Sequence, residues 1–436
     1  MRNKQKVLFI LVLLSVSLSV KSSPIKSEPS VRIQIIQNKE SLVVDFNGSW
    51  ELINENSDKT INIESKDSVF FSIKSKNIEL ICKTDFYNII SNHLVLKAKN
   101  STSTLTIHDV SFGVGWWWEG KENRIYEGEI HLYKNQNNNF EVVVHLPLEQ
   151  YLKGVVPYEI GADSPLEALK AQAVAARCEA VIALTSKLYS GKNHDLTSDV
   201  ECQVFSGNNK RTKNSDSAVI QTKGTILTEQ GEPINAFYAS NCGGMPELIS
   251  NVWPERANSK SYSVYSSDAK KRRKQNITTE RKAKKWINSM PNVYCNPNNG
   301  IELPIFSQQN FRWKRIFNKI ELSKMLANNN NYGKLLEIKP IKRGVSGRII
   351  KANFIFEQKT LHICGELKIR QMWKPALRSS CFYIEETNED FILYGAGWGH
   401  GVGMCQSGAV SQAKQGFSYR KILNHYYPKA TISIIY

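Results

Sequence analysis

The sequence lacks the short motifs of several common protein classes. It contains no GxGxxG fingerprint and no GK[ST] phosphate loop, so it gives no support for a dinucleotide or nucleotide ligand. Eight cysteines are present, but they form neither a CxxC pair nor a dense framework, so disulfide pairing cannot be read from their spacing. No segment repeats at a fixed period, which argues against a repeat architecture.

The bulk composition is that of a globular protein with a strong positive charge. The 436 residues exceed what one ordinary core accommodates, so one large domain with additions, or two domains, is expected. A net charge of +17 favours an anionic partner, such as nucleic acid, anionic lipid or a polymer that carries carboxylates. Charge alone does not choose among these partners.

The N-terminus has the pattern of a secretory signal. Arg2, Lys4 and Lys6 precede an apolar, Ser-containing run at 7–20, which is shorter than the roughly 20 residues of a spanning helix. We therefore predict a signal peptide at 1–23 and an exported protein of the periplasm or cell envelope. Membrane attachment is expected only through an uncleaved signal-anchor, and export argues against a nucleic-acid partner.

The pattern along the chain predicts an α+β fold that is β-rich, with one long central helix at 166–187 and short C-terminal helices. We expect an N-terminal β-rich region at 24–115 and a second domain at 116–436. A polar, basic segment at about 255–300 is interpreted as a surface insertion. Strand-like runs lie at 31–36, 42–46, 69–73, 78–82, 94–98, 104–107, 128–133, 140–146, 224–227, 234–240, 349–357 and 391–394.

Two glutamates near the start of the long helix compete for a catalytic role. Ser164 as N-cap, Pro165 at the first helical position and Glu167 form a predicted capping box, which gives Glu167 a structural explanation. Glu159 lies between a predicted strand at 152–156 and the helix cap, with apolar neighbours that would raise its carboxyl pKa. A solvated loop side chain is the alternative interpretation of Glu159.

Two glycine-containing segments offer further candidates. Ser240 and Asn241 precede a Gly-Gly turn and could bind a sugar, although a plain turn explains them equally well. His400 lies among alternating glycines that permit close backbone approach, and it could transfer a proton or donate a hydrogen bond. A nucleophilic pair of Cys405 with His400 is not favoured, because no separate carboxylate to orient it is apparent.

Two other features receive a structural interpretation. His194 and Cys202 are not joined by a second closely spaced Cys/His pair, so we predict no metal site and no cofactor. The Trp run at 116–118 could stack on sugar rings, but burial in a β-rich protein is the preferred interpretation.

Taken together, several ordered segments resemble the stage II sporulation protein D family (SpoIID), which includes the amidase enhancer LytB. The matching stretches are YLKGVVPYE at 151–159, EALKAQAVAAR at 167–177, CQVF at 202–205, SNCGG at 240–244 and GWGHGVGMCQ at 397–406. The resemblance covers roughly residue 31 to the end of the chain.

The resemblance implies a lytic transglycosylase that cleaves peptidoglycan between N-acetylmuramic acid (MurNAc) and N-acetylglucosamine (GlcNAc) and leaves 1,6-anhydro ends. The preferred substrate would be glycan strands stripped of stem peptides. The family's catalytic glutamate falls on Glu159. The residues that the resemblance assigns to substrate binding are Arg177, Ser240, Asn241, His400 and Gln406.

Departures from the family pattern keep other functions open. Cys405 replaces the usual Ser, and Cys178 replaces a common Thr. The zinc ligands that some members carry after the long helix are reduced here to His194 and Cys202, so no zinc is expected. A disulfide between Cys202 and Cys242 is one pairing that the motifs allow.

The main alternative function is an amidase enhancer that holds glycan strands or an N-acetylmuramoyl-L-alanine amidase and cleaves nothing itself. A third interpretation is a surface adhesin that binds through its basic insertion, centred on 265–290.

Overall fold

The structure is a computed structural model that describes residues 27–436 apart from 58, 65–67, 75–76, 83–84, 90, 257–265 and 329. The predicted signal peptide at 1–23 lies outside the described residues. In the part of the chain that is described, no helix has the length and apolar character needed to cross a bilayer.

The first part of the described chain is built from strands. Buried Leu42, Val44 and Phe46 alternate with less buried neighbours, which is the period of two expected for a strand with one face in a core. The strands are β1 (Ser30–Lys39), β2 (Ser41–Asn47), β3 (Trp50–Asn54), β4 (Lys59–Ile63), β5 (Ser68–Lys74), β6 (Asn77–Cys82), β7 (Asp85–Ile89), β8 (His93–Ala98), β9 (Thr104–Phe112), β10 (Gly120–Tyr126), β11 (Glu129–Lys134) and β12 (Phe140–Pro147).

Two consecutive helices follow these strands, α1 (Leu148–Ile160) and α2 (Leu166–Thr185). The predicted strand at 152–156 was wrong, because these residues lie within α1. Leu148, Tyr151, Leu152, Val155 and Val156 are all buried. Their spacing has the 3.6-residue period of an amphipathic helix, so burial overrides the strand preference of the paired valines.

The rest of the chain alternates between short helices and strands. The elements are β13 (Leu196–Thr197), α3 (Lys213–Gln221), β14 (Thr225–Glu229), β15 (Glu232–Pro233), β16 (Tyr238–Ala239), α4 (Ile249–Val252), a 3₁₀ turn (Pro254–Arg256), α5 (Glu280–Ile287), α6 (Ile305–Gln308), β17 (Arg312–Asn318), α7 (Lys319–Ala327), β18 (Leu335–Arg343), β19 (Ile349–Phe356), β20 (Thr360–Cys364), α8 (Glu366–Gln371), β21 (Phe382–Glu386), β22 (Asp390–Ala396), β23 (Met404–Cys405), α9 (Gln406–Lys414), α10 (Tyr419–Tyr426) and β24 (Thr431–Ile434).

Strand residues (34%) exceed helical residues (24%), so a mixed α+β class that is mostly β is confirmed. A single long central helix is not confirmed. Helix α2 has nearly the predicted bounds, but α1 packs beside it and further helices cover the structure.

Two large sheets share one hydrophobic core with the helices. The larger sheet has the order β13-β1-β12-β11-β8-β3-β4, and the smaller has the order β10-β9-β2-β5-β6-β7. Residues of both sheets, α1 and α2 belong to the same core cluster. The larger sheet therefore joins strands from both sides of residue 116, where the sequence predicts a domain boundary. That boundary stays a prediction.

The segment at 255–300 is not simply a solvated surface insertion. Its helix α5 buries Ala283 and Trp286, and the indole Nε1 of Trp286 donates to the carbonyl of Gly243 at 3.2 Å. Cys295 is fully buried as well. The run of Lys and Arg residues hides this apolar face in the sequence, because charged and core positions alternate along the helix.

Candidate active site

A long cleft runs past the C-terminal end of α1. Acidic, aromatic and basic side chains contribute to its walls, which is a combination suited to a polymer of polar rings. The acidic residues include Glu159, Glu179 and Asp199, the aromatic ones include Trp116, Trp117, Trp118, Tyr158, Trp253 and Trp398, and the basic ones include Arg256, Arg370 and Arg378.

Helix α1 carries Glu159 in its last turn, one residue before the helix ends. Gly161 follows with a φ of 89°, a conformation that favours glycine and lets the chain leave the helix. The last turn of a helix presents unpaired carbonyl oxygens, so the surroundings disfavour an anion. The fold thus places this carboxyl at the cleft and at the helix end that least stabilises its charge.

Burial raises the pKa of Glu159 to about 7, and the nearby negative charge of Asp199 acts in the same direction. Hydrogen bonds from Val204, Gln406 and Tyr238 oppose this rise without cancelling it. The Val204 amide donates to Oε1 at 2.8 Å, and Nε2 of Gln406 approaches Oε2 at 3.4 Å. In the described part of the chain, no lysine or arginine forms an ion pair with Glu159. The carboxyl can therefore both give and take a proton near neutral pH.

Glu179 is a second cleft carboxyl that sequence analysis missed. It lies on α2, and burial raises its pKa to about 8, against the opposing effect of Arg256. Its Oε1 atom is buried and accepts no hydrogen bond from the described residues. The Ala-rich stretch around Glu179 suggested only a packed helix. A glutamate within such a stretch is itself a signal of a buried carboxyl.

Gln406 and Ser240 reach the cleft as predicted from the resemblance. Gln406 opens helix α9, and its Nε2 also donates to Oε1 of Gln172 at 3.2 Å. The carbonyl of Ser240 accepts from the amide and hydroxyl of Ser407 at 3.0 and 2.8 Å. These contacts fix the wall that faces Glu159.

His400 also lines the cleft, but its pKa lies well below the range of a residue that transfers protons at neutral pH. Burial lowers its pKa to about 3, helped by the positive charges of Arg348 and Arg370. Its Nδ1 accepts from the Val402 amide at 3.0 Å, and the ring also hydrogen-bonds the backbone of Tyr238. His400 is therefore held by the backbone as a neutral ring, and its lowered pKa makes it a poor proton donor near pH 7.

The glycines around His400 permit close approach, as expected. A Cβ atom on Gly401 would overlap the guanidinium of Arg348, and one on Gly403 would overlap the carbonyl of Phe237. Both glycines have positive φ values. The loop can therefore pass directly over a buried arginine.

Two of the proposed substrate-binding residues do not reach the cleft. The Arg177 side chain is fully buried and forms an ion pair with Glu149. Its Nε and Nη2 atoms donate hydrogen bonds to the carboxylate at 2.8 and 2.7 Å. Asn241 is also fully buried, and its side chain binds the Gly243 amide and the Cys295 carbonyl. Both residues hold the backbone in place behind the cleft wall.

The predicted capping box at α2 was wrong. The helix begins at Leu166, Pro165 is its N-cap and no side chain caps it. The Ser164 hydroxyl donates back to the Ile160 carbonyl at 2.7 Å. Glu167 keeps a structural role, because it pairs with Lys170 and accepts the Tyr419 amide at the start of α10.

Burial, the preferred interpretation of the tryptophan run, was wrong for Trp117. Trp117 is 40% exposed and lies at the cleft, with its ring centroid 5.3 Å from that of Trp398. The guanidinium of Arg378 sits 4.7 Å from the Trp117 ring centroid. An open aromatic surface flanked by a cation can stack on sugar rings.

His194 and Cys202, the two residues that remain where some family members carry zinc ligands, have other partners. Nδ1 of His194 lies 3.2 Å from Oε1 of Glu141, and Sγ of Cys202 accepts the Thr197 amide at 3.5 Å. Cys202 and Cys242 are both free, so the disulfide allowed by the motifs is not formed.

Comparison with known proteins shows what the chain is similar to. A family model described as SpoIID, Stage II sporulation protein, matches residues 136–228, the stretch that carries Glu159, Glu179 and Asp199. The resemblance to the SpoIID family is confirmed. A second model, Domain of unknown function (DUF8618), matches residues 249–403, which include His400.

Similar proteins extend over most of the chain. An uncharacterized protein of Brachyspira hyodysenteriae is 28% identical over 69% of this chain and 70% of its own length. The stage II sporulation protein D of Bacillus amyloliquefaciens is 26% identical over 72% of this chain and 82% of its own length. An amidase enhancer of Bacillus subtilis is 27% identical over 65% of this chain, but over only 40% of its own length.

Proposed function

We propose that the chain is a peptidoglycan lytic transglycosylase that cleaves the MurNAc–GlcNAc bond of glycan strands. The similarity to SpoIID proteins and to an amidase enhancer supports a cell-wall-related, extracytoplasmic role. The observation that carries the reaction is Glu159, a carboxyl whose pKa is raised to about 7 at the wall of a cleft. A carboxyl in that range can act as acid and then as base at neutral pH.

The proposed reaction uses this carboxyl twice. Neutral Glu159 gives its proton to the glycosidic oxygen as the bond from that oxygen to C1 of MurNAc breaks. The resulting carboxylate takes the proton of the MurNAc 6-hydroxyl, whose oxygen then forms the new bond to C1. The products are a free GlcNAc hydroxyl and a 1,6-anhydro-MurNAc end, and Glu159 returns to its starting state. No water enters, so the second carboxylate of a two-carboxylate hydrolase is not required.

The cleft supports a stripped glycan strand as substrate. Removal of the stem peptide leaves a free lactyl carboxylate on each MurNAc, and Arg256 and Arg378 line the cleft where such a group could bind. Trp117 and Trp398 offer a stacking surface for sugar rings. Ser240 and Gln406 line the cleft as well. Glu159 alone carries the proton transfers in this scheme.

The test is digestion of purified, peptide-stripped glycan strands, with the products identified by mass spectrometry. We expect anhydro-ended fragments from the wild-type chain and a loss of roughly 10²–10⁴-fold in rate for Glu159→Gln. Glu167→Gln is the matched control, since that glutamate lies on the next helix away from the reaction, and it should keep the wild-type rate.

Three outcomes would contradict the proposal. Products with reducing MurNAc ends would indicate hydrolysis instead of transglycosylation. Activity lost in Glu179→Gln but kept in Glu159→Gln would move the acid to the other cleft carboxyl. Stripped strands that stay intact but bind tightly, together with faster release of stem peptides from unstripped peptidoglycan by an added N-acetylmuramoyl-L-alanine amidase, would favour a non-catalytic amidase enhancer.

A further inference from the structure

Three cysteines and one aspartate meet where distant segments of the chain cross. Cys242 follows β16, Cys405 ends β23, and Asp268 and Cys295 belong to the segment between 266 and 300. The three Sγ atoms and one carboxylate oxygen lie within 4.8 Å of one another, and all four residues are buried. The cluster therefore joins the SNCGG turn, the basic segment and the start of α9.

Disulfide formation does not account for this arrangement. The Sγ atoms of Cys242 and Cys295 are 3.6 Å apart, whereas bonded sulfurs are about 2.0 Å apart. A disulfide could join only two of the three thiols and would leave the third buried beside a carboxylate. Neutral thiols are easily buried, but the carboxylate of Asp268 is costly to bury beside them unless its charge is compensated.

The spacing matches a tetrahedral metal site. Zinc binds thiolate sulfur at about 2.3 Å, so two sulfurs of a tetrahedral site lie about 3.8 Å apart. The sulfur-to-sulfur distance from Cys242 to Cys295 and the Sγ–Oδ2 distance from Cys242 to Asp268 are both 3.6 Å. We propose that Cys242, Cys295, Cys405 and Asp268 bind one structural zinc ion. Thiolate-rich ligand sets select zinc over calcium or magnesium.

The surroundings of the cluster are those of an oriented ligand set. Oδ1 of Asp268 accepts from the Tyr426 hydroxyl at 3.0 Å and lies 3.1 Å from Nε2 of His425, which leaves Oδ2 directed at Cys242. The Cys242 amide points at Sγ of Cys405 at 3.2 Å. Outer hydrogen bonds of this kind fix the direction and basicity of metal ligands.

A small pocket and a basic side chain lie beside the cluster. Cys242, Asp268 and Cys405 line this pocket together with Arg272 and His425. Three thiolates and one carboxylate around a divalent ion leave an excess of negative charge, which the guanidinium of Arg272 partly offsets. The three thiols release their protons to solvent when the metal binds.

The proposed ion would act on the neighbouring cleft through its ligands. Cys405 immediately precedes Gln406, which contacts Glu159. A metal that holds Cys405 against Cys242 would therefore fix the wall that faces the carboxyl. The site is separate from His194 and Cys202, whose side chains bind other groups.

The test measures metal bound by the full chain, purified under reducing conditions without chelator. We expect about one zinc per chain by mass spectrometry of the metal, and loss of that zinc in Cys242→Ser and in Cys405→Ser. Cys178→Ser is the matched control, because Cys178 is equally buried and lies outside the cluster. Cobalt exchanged into the wild-type chain should show thiolate-to-cobalt absorption and a tetrahedral d–d spectrum, a readout that needs no variant to fold.

Several results would overturn the proposal, and none depends on catalytic activity. They are a wild-type chain that binds neither zinc nor cobalt, a Cys242–Cys295 disulfide mapped in the protein as isolated, and zinc that survives both cysteine variants but is lost in His194→Ala. Failure of glycan cleavage leaves this proposal untouched, because metal content is measured directly.

Discussion

Glu149 and Glu159 lie at opposite ends of one helix and differ in almost everything else. Glu149, in the first turn of α1, is gripped by Arg177 and also accepts the Gly224 amide at 3.2 Å. Burial raises the pKa of Glu149, but the arginine and the other hydrogen bonds outweigh it, so the pKa ends below its usual value. Glu159, in the last turn, has its pKa raised to about 7.

The difference shows that burial alone does not decide the state of a carboxyl. Both glutamates are largely shielded from water, but only Glu149 has a fixed cation and the favourable end of a helix. Glu149 is therefore an ionised anchor of the fold. Glu159 keeps a proton that it can transfer.

The largest expected effect comes from breaking the anchored end. Arg177→Met leaves Glu149 buried without its cation, and removing one partner of a buried pair costs about 3–5 kcal/mol of folding free energy. Chemical denaturation followed by circular dichroism would measure this loss. Glycan cleavage per folded molecule should persist, because Arg177 does not line the cleft.

The control for that prediction is Arg177→Met combined with Glu149→Gln, which removes the buried charge while keeping an acceptor for Gly224. The double variant should regain part of the lost stability. If Arg177→Met instead folds normally and fails to bind glycan, Arg177 is a substrate ligand and the assignment made from its burial is wrong.

Several strands of this fold could be predicted from the sequence, but helix α1 was not. The strands at 31–36, 42–46 and 140–146 were found because a half-buried strand alternates visibly in its side chains. Helix α1 was missed because Gly154, Val155, Val156 and Pro157 all weaken helix propensity, while its buried stripe has helical spacing. The prediction gave more weight to local helix propensity than to the spacing of the apolar residues. Burial in the tertiary structure stabilises the helix in spite of that propensity.

The candidate site was predictable only in part. Glu159, Ser240, His400 and Gln406 reach the cleft, and family motifs in the sequence pointed to them. Motifs cannot report burial, so Arg177 was assigned to the substrate although it binds Glu149. The thiol cluster could not be found from the sequence, because its four residues come from positions far apart along the chain.

The second prediction concerns the pH dependence of stability. Between about pH 4.5 and 7 the folded chain keeps the Glu159 proton while the unfolded chain loses it, so stability falls as pH rises through this window. Glu159→Gln removes that fall and should be more stable than wild type above pH 7. Because the carboxyl is partly exposed to the cleft, we expect a gain of about 1–3 kcal/mol.

The variant Glu149→Gln should change the pH dependence of stability in the opposite direction. The lowered pKa of Glu149 contributes stability that is present above its unfolded pKa and is lost as pH falls through its folded pKa. The variant should therefore lose stability at neutral pH and converge with wild type in acid. Denaturation midpoints of both variants across pH 3–9 would measure the two slopes, and equal slopes would refute the contrast.

The smallest expected effect tests the field around Glu159. Asp199 lines the same cleft, and its negative charge contributes to the raised pKa of Glu159, although burial contributes more. Asp199→Asn should therefore lower the pKa of Glu159 by less than about one unit, which is worth at most about 1.4 kcal/mol.

The alkaline limb of the pH–rate profile for glycan cleavage should move to lower pH by the same amount, because the acid form of Glu159 is then lost earlier. Asp163→Asn is the control, because Asp163 is an exposed carboxyl of the same cleft that is not among the groups shifting the pKa of Glu159, and it should leave the limb in place. A limb that moves to higher pH in Asp199→Asn, or a complete loss of cleavage with normal folding, would show that Asp199 takes part in the reaction itself.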